Sequence, residues 1–230
     1  QGACYTGAGK TQKEAAAPAV FYENGRKVIM FNACWDFLLY NHKNPSNGVY
    51  IEEINEEKLI AHTANSRHED PDALIVVFLH WNFDLETLPF PMHREFSKDL
   101  IDAGADLVAG HHSHCVQGGE KYKNGYIVFG LGNFFIPHGV FANGKLKYPE
   151  IAKTELVLEW DTLNKKMLCH WFEYKHSGDQ HGLTLIETSN YESCLRLESY
   201  SPFRTMSDIE YLSYFKKHRR KRNLIPVYIS

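Results

Sequence analysis

The stretch Asp106-Leu-Val-Ala-Gly-His-His-Ser-His114 is a short apolar run that breaks at Gly110 into three histidines within four residues. Neutral imidazole is the commonest protein ligand for zinc and also suits iron, copper and nickel, so His-x-His after a glycine turn can give two nitrogens to one ion or one each to two. Upstream, Ala73-Leu-Ile-Val-Val-Phe-Leu79 is a second apolar run that ends in a histidine, His80. Between the runs, residues 91–103 carry Phe96, Leu100 and Ile101 on one helical face, with Pro91 suited to a first turn. Strand, helix and strand make a β-α-β unit, whose parallel strands bring His80 and the cluster at 111–114 out at one sheet edge. Ligands of open α/β sheets bind beyond that edge. Downstream, Tyr126-Ile-Val-Phe129 leads into Gly130-Leu-Gly-Asn133, and delivers Asn133 to the same rim if its strand is also parallel. The plainer alternative is a polar turn with surface histidines. Four imidazoles at two neighbouring strand ends weigh against it.

Two further stretches border this rim. After His80, Trp-Asn-Phe-Asp-Leu-Glu-Thr-Leu-Pro-Phe-Pro91 is a loop with an aromatic lining and prolines to stiffen it. In it Asp84 and Glu86 are each candidates for an acid, a base or a residue that positions a ligand, the alternative being a solvated loop carboxylate. Glu120 follows the cluster and can orient a metal-bound histidine, as outer-shell carboxylates commonly do.

With 230 residues and 43% hydrophobic content the chain can bury a large core, and it reads as one α/β domain over residues 1–187 with a helical, basic tail over 188–230. The formal net charge of −3 gives no overall attraction to nucleic acid, and no nucleic-acid partner is expected. Five scattered cysteines lack the spacing of a disulfide framework or a zinc ribbon, which favours a reducing compartment. There is no apolar run of membrane-spanning length and no signal-peptide pattern at the start, so the chain reads as soluble. It begins without Met, which suggests a fragment or a processed product.

The remaining stretches are organising rather than chemical. Gly7-Ala-Gly-Lys-Thr11 lacks the earlier glycine of a phosphate loop, since that position holds Cys4, and reads as a turn before a short helix over 12–17. Residues 19–22, a Glu-Asn-Gly turn and residues 26–31 predict a hairpin. Residues 34–48, with His42, read as a loop, and 51–67 as a surface helix with His62 and His68 structural. Residues 154–160 and 167–174 predict a long hairpin with His170 packed in it, His176 and His181 fall in a loop around Gly178, and 183–187 is a further strand. Residues 208–222 read as a helix ending in Lys216-Lys-His-Arg-Arg-Lys-Arg222. Those cations suit a helix carboxyl end, or alternatively dock on an anionic lipid, polymer or partner.

Taken together, His80-Trp, the block from Asp102 through His114, Val116-Gln-Gly, Glu120 and Leu131-Gly-Asn-Phe134 resemble the latter half of the CapA-like family of poly-gamma-glutamate capsule biosynthesis proteins, a branch of the calcineurin-like metallophosphoesterases. Gly7-Ala-Gly9, Glu14-Ala15 and Pro18 also fit, so the similarity covers about residues 1–140. The resemblance implies that His80, His112 and His114 are metal ligands, that His111 stands at a variable position, and that Asn133 is a conformational or substrate-side residue. The family usually has Gly and Glu where this chain has Asn82 and Asp84, and Pro where it has Ser113. The family's first metal motifs, an early Gly-Asp, an Asn-x-Glu and an Asn-Asn-His, would lie before Gln1. A full two-metal site is therefore not expected from this chain alone.

The expectation is an α/β, metallophosphoesterase-like fold with a mixed sheet, and a divalent-metal hydrolase of phosphoester or related bonds associated with capsule or polyglutamate formation. His80, His112 and His114 are expected to hold Mn, Zn or Fe, two ions in the full-length protein; His111 protonates a leaving group, Asp84 acts with it, and Glu120 and Asn133 tune or line the site. Substrates are an anionic polymer or phosphoester, and the basic tail is a route to a membrane-associated complex in a bacterial cytoplasm or at its membrane. The rivals are a noncatalytic assembly factor of a polymer synthesis or export complex, and a closed structural zinc site.

Overall fold

The computed structural model describes residues 4–35, 48–140, 143, 146–164, 166–178 and 180–220. Most of the predicted loop over 34–48, including His42, and the last residues of the basic tail lie outside them. The chain divides into two compact units, each built from separated stretches. The first comprises Gln1–Trp81, Met92–Gly110 and Lys121–Ile127, and the second Asn82–Pro91, His111–Glu120 and Val128–Ser230.

The first unit opens with β1 (Ala8–Gly9), α1 (Gln12–Ala16), β2 (Ala19–Glu23), β3 (Arg26–Cys34), β4 (Tyr50–Ile51) and α2 (Glu56–Glu69). The predicted hairpin is present: Glu23 pairs with Arg26 across Asn24 and Gly25. Both turn residues have positive φ, 51° and 78°, as a tight two-residue hairpin turn requires. Residue 51 departs from the expected helix. It pairs with Ala8 in a short antiparallel ladder, and the helix starts only after Asn55, whose side chain accepts the Lys58 N–H at 3.0 Å.

The three apolar runs are strands β5 (Leu74–His80), β6 (Leu107–His111) and β8 (Gly125–Val128), with α3 (Pro91–Asp102) between β5 and β6 and β7 (Gly119–Tyr122) before β8. The sheet order is β2-β3-β5-β6-β8-β7, with β2 antiparallel and β5 parallel to β3. It is the mixed sheet of an α/β fold. Ile75, Val77, Leu79, Leu100 and Val108 have almost no exposed surface, which explains the near-continuous apolar runs in the sequence. The start of β6 is pinned from outside the sheet. Arg67 of α2 donates to the Gly104 and Ala73 carbonyls and pairs with Asp106 at 2.6 Å, while Asp106 accepts the Ile75 N–H at 2.8 Å.

The second unit contains β9 (Thr154–Asp161), β10 (Lys166–Ser177) and β11 (Gln180–Asn190) as an antiparallel sheet of order β11-β10-β9. The predicted hairpin of β9 and β10 is there. His176 and His181 are not in a loop: they pair with each other in the β10–β11 ladder, because Gly178 at φ 57° lets the chain reverse immediately after Ser177. His170 bonds Thr188 and Glu159 on the two flanking strands rather than packing in a core. Helices α4 (Leu195–Ser199) and α5 (Asp208–His218) follow, and Leu197, Phe203, Tyr211 and Phe215 are buried. A capping box of Ser207 and Glu210 starts α5. Among the described residues no helix is long and apolar enough to cross a membrane.

Candidate metal centre

Two loops of the second unit carry the site, residues 82–91 and 111–120, and hydrogen bonds lace them together. Leu85 N–H donates to the Ser113 carbonyl at 2.7 Å, and the Gln117 side chain donates to the Glu86 carbonyl at 2.8 Å. Cys115, buried, sends its thiol to the same Glu86 carbonyl. These contacts bring Asp84 to His112 and His114. One ligand atom from each of the three lies within 4.8 Å of the other two.

The backbone at this place is unusual. Asn82, Leu85, His112, His114 and Phe134 all have positive φ, at 74°, 59°, 96°, 58° and 56°. Non-glycine residues rarely hold this conformation, and it persists where surrounding structure over-determines it, most often at functional sites. Asn is among the residues that tolerate it, which accounts for Asn82 at a position where the resembling family usually has Gly.

His114 is held from both ring nitrogens. Nδ1 lies 2.6 Å from Asn133 Oδ1, and Nε2 lies 3.1 Å from Asp84 Oδ1. The Asn133 amide nitrogen is turned toward the His114 and Ala152 carbonyls, so its oxygen is the face shown to the ring. Nδ1 therefore carries a proton. Nε2 can then meet the Asp84 carboxylate only as the N–H of an imidazolium or with a cation in place of that proton. Two imidazole nitrogens and a carboxylate oxygen form a donor set that suits a divalent first-row ion, and three protein ligands leave a position open.

The turn that presents Asn133 rests on a carboxylate. Glu155 of β9 is 1% exposed and accepts the Asn133 and Phe134 backbone N–H groups. Burial pushes its pKa up to about 8, against the two N–H bonds that favour the charged form. Gly132, φ 88°, leaves room for that carboxylate, with which a Cβ would collide. The ring of Tyr148 packs 4.9 Å from that of His114.

The other expected residues are placed as follows. His111 is the last residue of β6, and burial, followed by the neighbouring His112 and His114, pushes its pKa down to about 4. His112 is lowered by burial, with Asp84 opposing. Glu120 is buried on β7, and the Tyr191 hydroxyl is pushed well above its ordinary range by burial first, with a minor contribution from Glu120. Neither His111 nor Glu120 belongs to the three-residue group. His80 ends β5 in the first unit, paired in register with Cys34. Glu155 and Tyr148 were not anticipated from the sequence. Glu155 sits in an alternating strand where a carboxylate reads as solvent-facing, and Tyr148 lies in a stretch without periodicity.

The chain resembles known proteins over part of its length. CapA, a capsule biosynthesis protein of Bacillus anthracis, is 38% identical over 78 residues, 32% of this chain and 19% of that protein. CapA, a PGA biosynthesis protein of Bacillus subtilis strain 168, is 32% identical over 91 residues, 40% of this chain and 21% of that protein. The matched stretch thus spans about a fifth of the length of either relative. Among solved structures, the sulfate thiohydrolase SoxB of Thermus thermophilus has a TM-score of 0.37 and 12% identity, covering 88% of this chain and 29% of that one. The profile of the bacterial capsule synthesis protein PGA_cap matches residues 1–137, more than half of the chain, and this chain belongs to that family.

Proposed function

We propose that the chain carries the metal-binding part of a divalent-metal-dependent hydrolase that acts on a phosphoester or related bond in bacterial capsule or polyglutamate formation. The observation that carries this reading is the convergence of Asp84, His112 and His114 from two hydrogen-bonded loops with several positive-φ residues. Asp84 enters as a ligand beside His112 and His114. When bound, Mn, Zn or Fe would supply Lewis acidity to a phosphoryl or carbonyl oxygen, and a second ion in the full-length protein would clamp the opposite oxygen.

The chain's own residues supply the rest. Asn133 holds the His114 ring in one tautomer, so that Nε2 faces Asp84. His111, neutral at pH 7, becomes a proton donor only beside an anionic substrate that raises its proton affinity. Glu120 is proposed to tune the site through its neighbours, not by contact with the reacting atoms. The substrate is an anionic polymer or a phosphoester, and the basic end of α5 is a route to a membrane-associated synthesis complex in the bacterial cytoplasm or at its membrane.

The test is isothermal titration of this chain with Mn²⁺ and Zn²⁺, paired with hydrolysis of a generic phosphodiester by the full-length protein. Binding lost in Asp84→Ala and His112→Ala, with turnover lost in the same variants, supports the reading. Metal binding without turnover leaves a noncatalytic assembly factor, and four closed ligands with no exchangeable position would make the site structural.

A further inference from the structure

Two of the five cysteines meet inside the second unit. Cys169 lies in β10, and Trp171, two residues on, shares its face of the strand; neither has exposed surface. The segment that follows β11 grips that face. Cys194, itself buried, accepts the Trp171 indole N–H on its sulfur at 3.3 Å, the Arg196 guanidinium lies 5.6 Å from the indole ring, and Tyr200 stacks on it at 5.5 Å. A second N–H, from Leu197 at 3.3 Å, holds the same sulfur in place at the head of α4. There the Cys169 and Cys194 thiols hydrogen-bond to each other, and both are free. The other three are disposed differently: the Cys115 thiol donates to the Glu86 carbonyl, the Cys34 thiol to the Trp35 carbonyl, and Cys4 is exposed.

Thiol chemistry decides when such a pair can react. The thiolate, not the thiol, is the nucleophile of disulfide exchange. Burial first, then the neighbouring Cys194, pushes the Cys169 pKa up to about 12, so the folded pair keeps its protons and is shielded from an oxidant in solution. In a chain that has not yet closed over them, both groups are in water, where a fraction ionises near neutral pH. Sequence spacing does not announce the pair, because the whole of β11 lies between the two residues.

We infer that Cys169 and Cys194 form a disulfide when the chain folds in the presence of a small-molecule disulfide, and that the finished fold then preserves whichever state, linked or reduced, it closed on. One protein thiolate attacks a sulfur of the small disulfide and expels its other half as a thiolate. The second protein thiolate attacks the protein sulfur of that mixed disulfide and expels the remaining half. Two protein thiols thereby lose two protons and two electrons, and one small disulfide becomes two thiols. The link fixes the 194–204 segment to β10. That segment also holds the exit of the loop carrying His112 and His114, since Ser201 Oγ accepts the Gly119 N–H at 2.9 Å and Arg204 donates to the Gly119 carbonyl at 2.6 Å. The inference does not rest on the proposed function.

The experiment refolds the whole chain from urea in an oxidising mixture of oxidised and reduced glutathione, blocks the remaining thiols with N-ethylmaleimide and digests the product without reductant. Mass spectrometry is expected to find one peptide pair joined through Cys169 and Cys194. The thermal midpoint is expected to lie about 5–10 °C above that of chain refolded in reductant, because the link constrains the unfolded state, and the difference is expected to vanish in Cys194→Ser. If that variant fails to fold, the joined peptides of the wild type decide alone. Chain folded first in reductant and then given the same mixture is expected to form the link at least about tenfold more slowly. Recovery of both cysteines as maleimide or glutathione adducts after refolding overturns the inference. So does linkage of either one to Cys4, Cys34 or Cys115, and so does equally fast linking of the folded chain.

Discussion

Asn133 accepts the Nδ1 proton of His114 at 2.6 Å, and so leaves the other nitrogen of that ring to the Asp84 carboxylate, 3.1 Å away. An amide in this place does for the ring what an outer-shell carboxylate does in many metal sites. Asn133→Ala frees the ring to rotate and to exchange tautomers. Metal affinity is expected to fall about 10- to 100-fold, the usual effect of removing such a partner, measured by titration calorimetry. Unchanged affinity would mean that His114 is held by other means.

Removing the proposed ligands should cost at least as much. Asp84→Asn retains the size of the side chain and removes its charge, and His112→Ala removes a nitrogen; each is expected to lower Mn²⁺ or Zn²⁺ affinity by at least about tenfold. Circular dichroism should remain that of the wild type, because both residues lie on loops. A loss of fold instead would show that the loop depends on Asp84 for packing.

Glu155 makes stability depend on pH. Its folded pKa of about 8 lies above the ordinary value of 4.5, so between those two pH values the folded chain binds a proton that the unfolded chain has released. The stability contribution of this group is fully present below about pH 4.5 and is lost as pH rises through 8. Glu155→Gln should still accept the Asn133 and Phe134 N–H groups and should remove this slope. Urea unfolding of both forms at pH 5, 6.5 and 8 measures it, and parallel curves would show that Glu155 titrates as it does in water.

Part of the basic segment is already engaged. The Arg220 backbone N–H donates to Glu86 Oε2 at 3.0 Å and its guanidinium to the Leu85 carbonyl at 3.0 Å, while Tyr211 bonds the Pro89 carbonyl at 2.5 Å. α5 therefore braces the loop that carries Asp84. Arg220→Ala loses the side-chain bond and should destabilise by about 1–2 kcal/mol. A chain ending at His218 also loses the bond to Glu86, which is buried with its pKa raised by desolvation, and should lose more. Equal thermal stability of both would leave the brace to Tyr211 and Phe215.

Much of this was legible in the residues because burial on both faces of a parallel strand leaves a bare apolar run, and β5, parallel to β3, is such a run. The Asn24-Gly25 turn and Pro91 at the head of α3 are local signals that tertiary structure did not override. The cluster at 111–114 was visible as composition. Its geometry was not, since Asp84 reaches it only because Leu85 and Ser113 bond across 28 positions of chain, a pairing with no periodic signature. The β10–β11 hairpin was read short because residues 176–181 mix histidine and glycine, whereas paired backbone hydrogen bonds carry the strands through with little apolar content.

The second unit draws on three stretches of chain interrupted by parts of the first. During synthesis Asp84 and His114 leave the ribosome well before Glu155 and Arg220, at typical elongation rates by on the order of ten seconds. Over that interval the loops lack both the carboxylate that seats Asn133 and the helix that braces residues 85–89. Any ion that Asp84, His112 and His114 hold would thereby wait on synthesis of the chain through Arg220, and a polypeptide stalled earlier would present these side chains without the contacts that seat them.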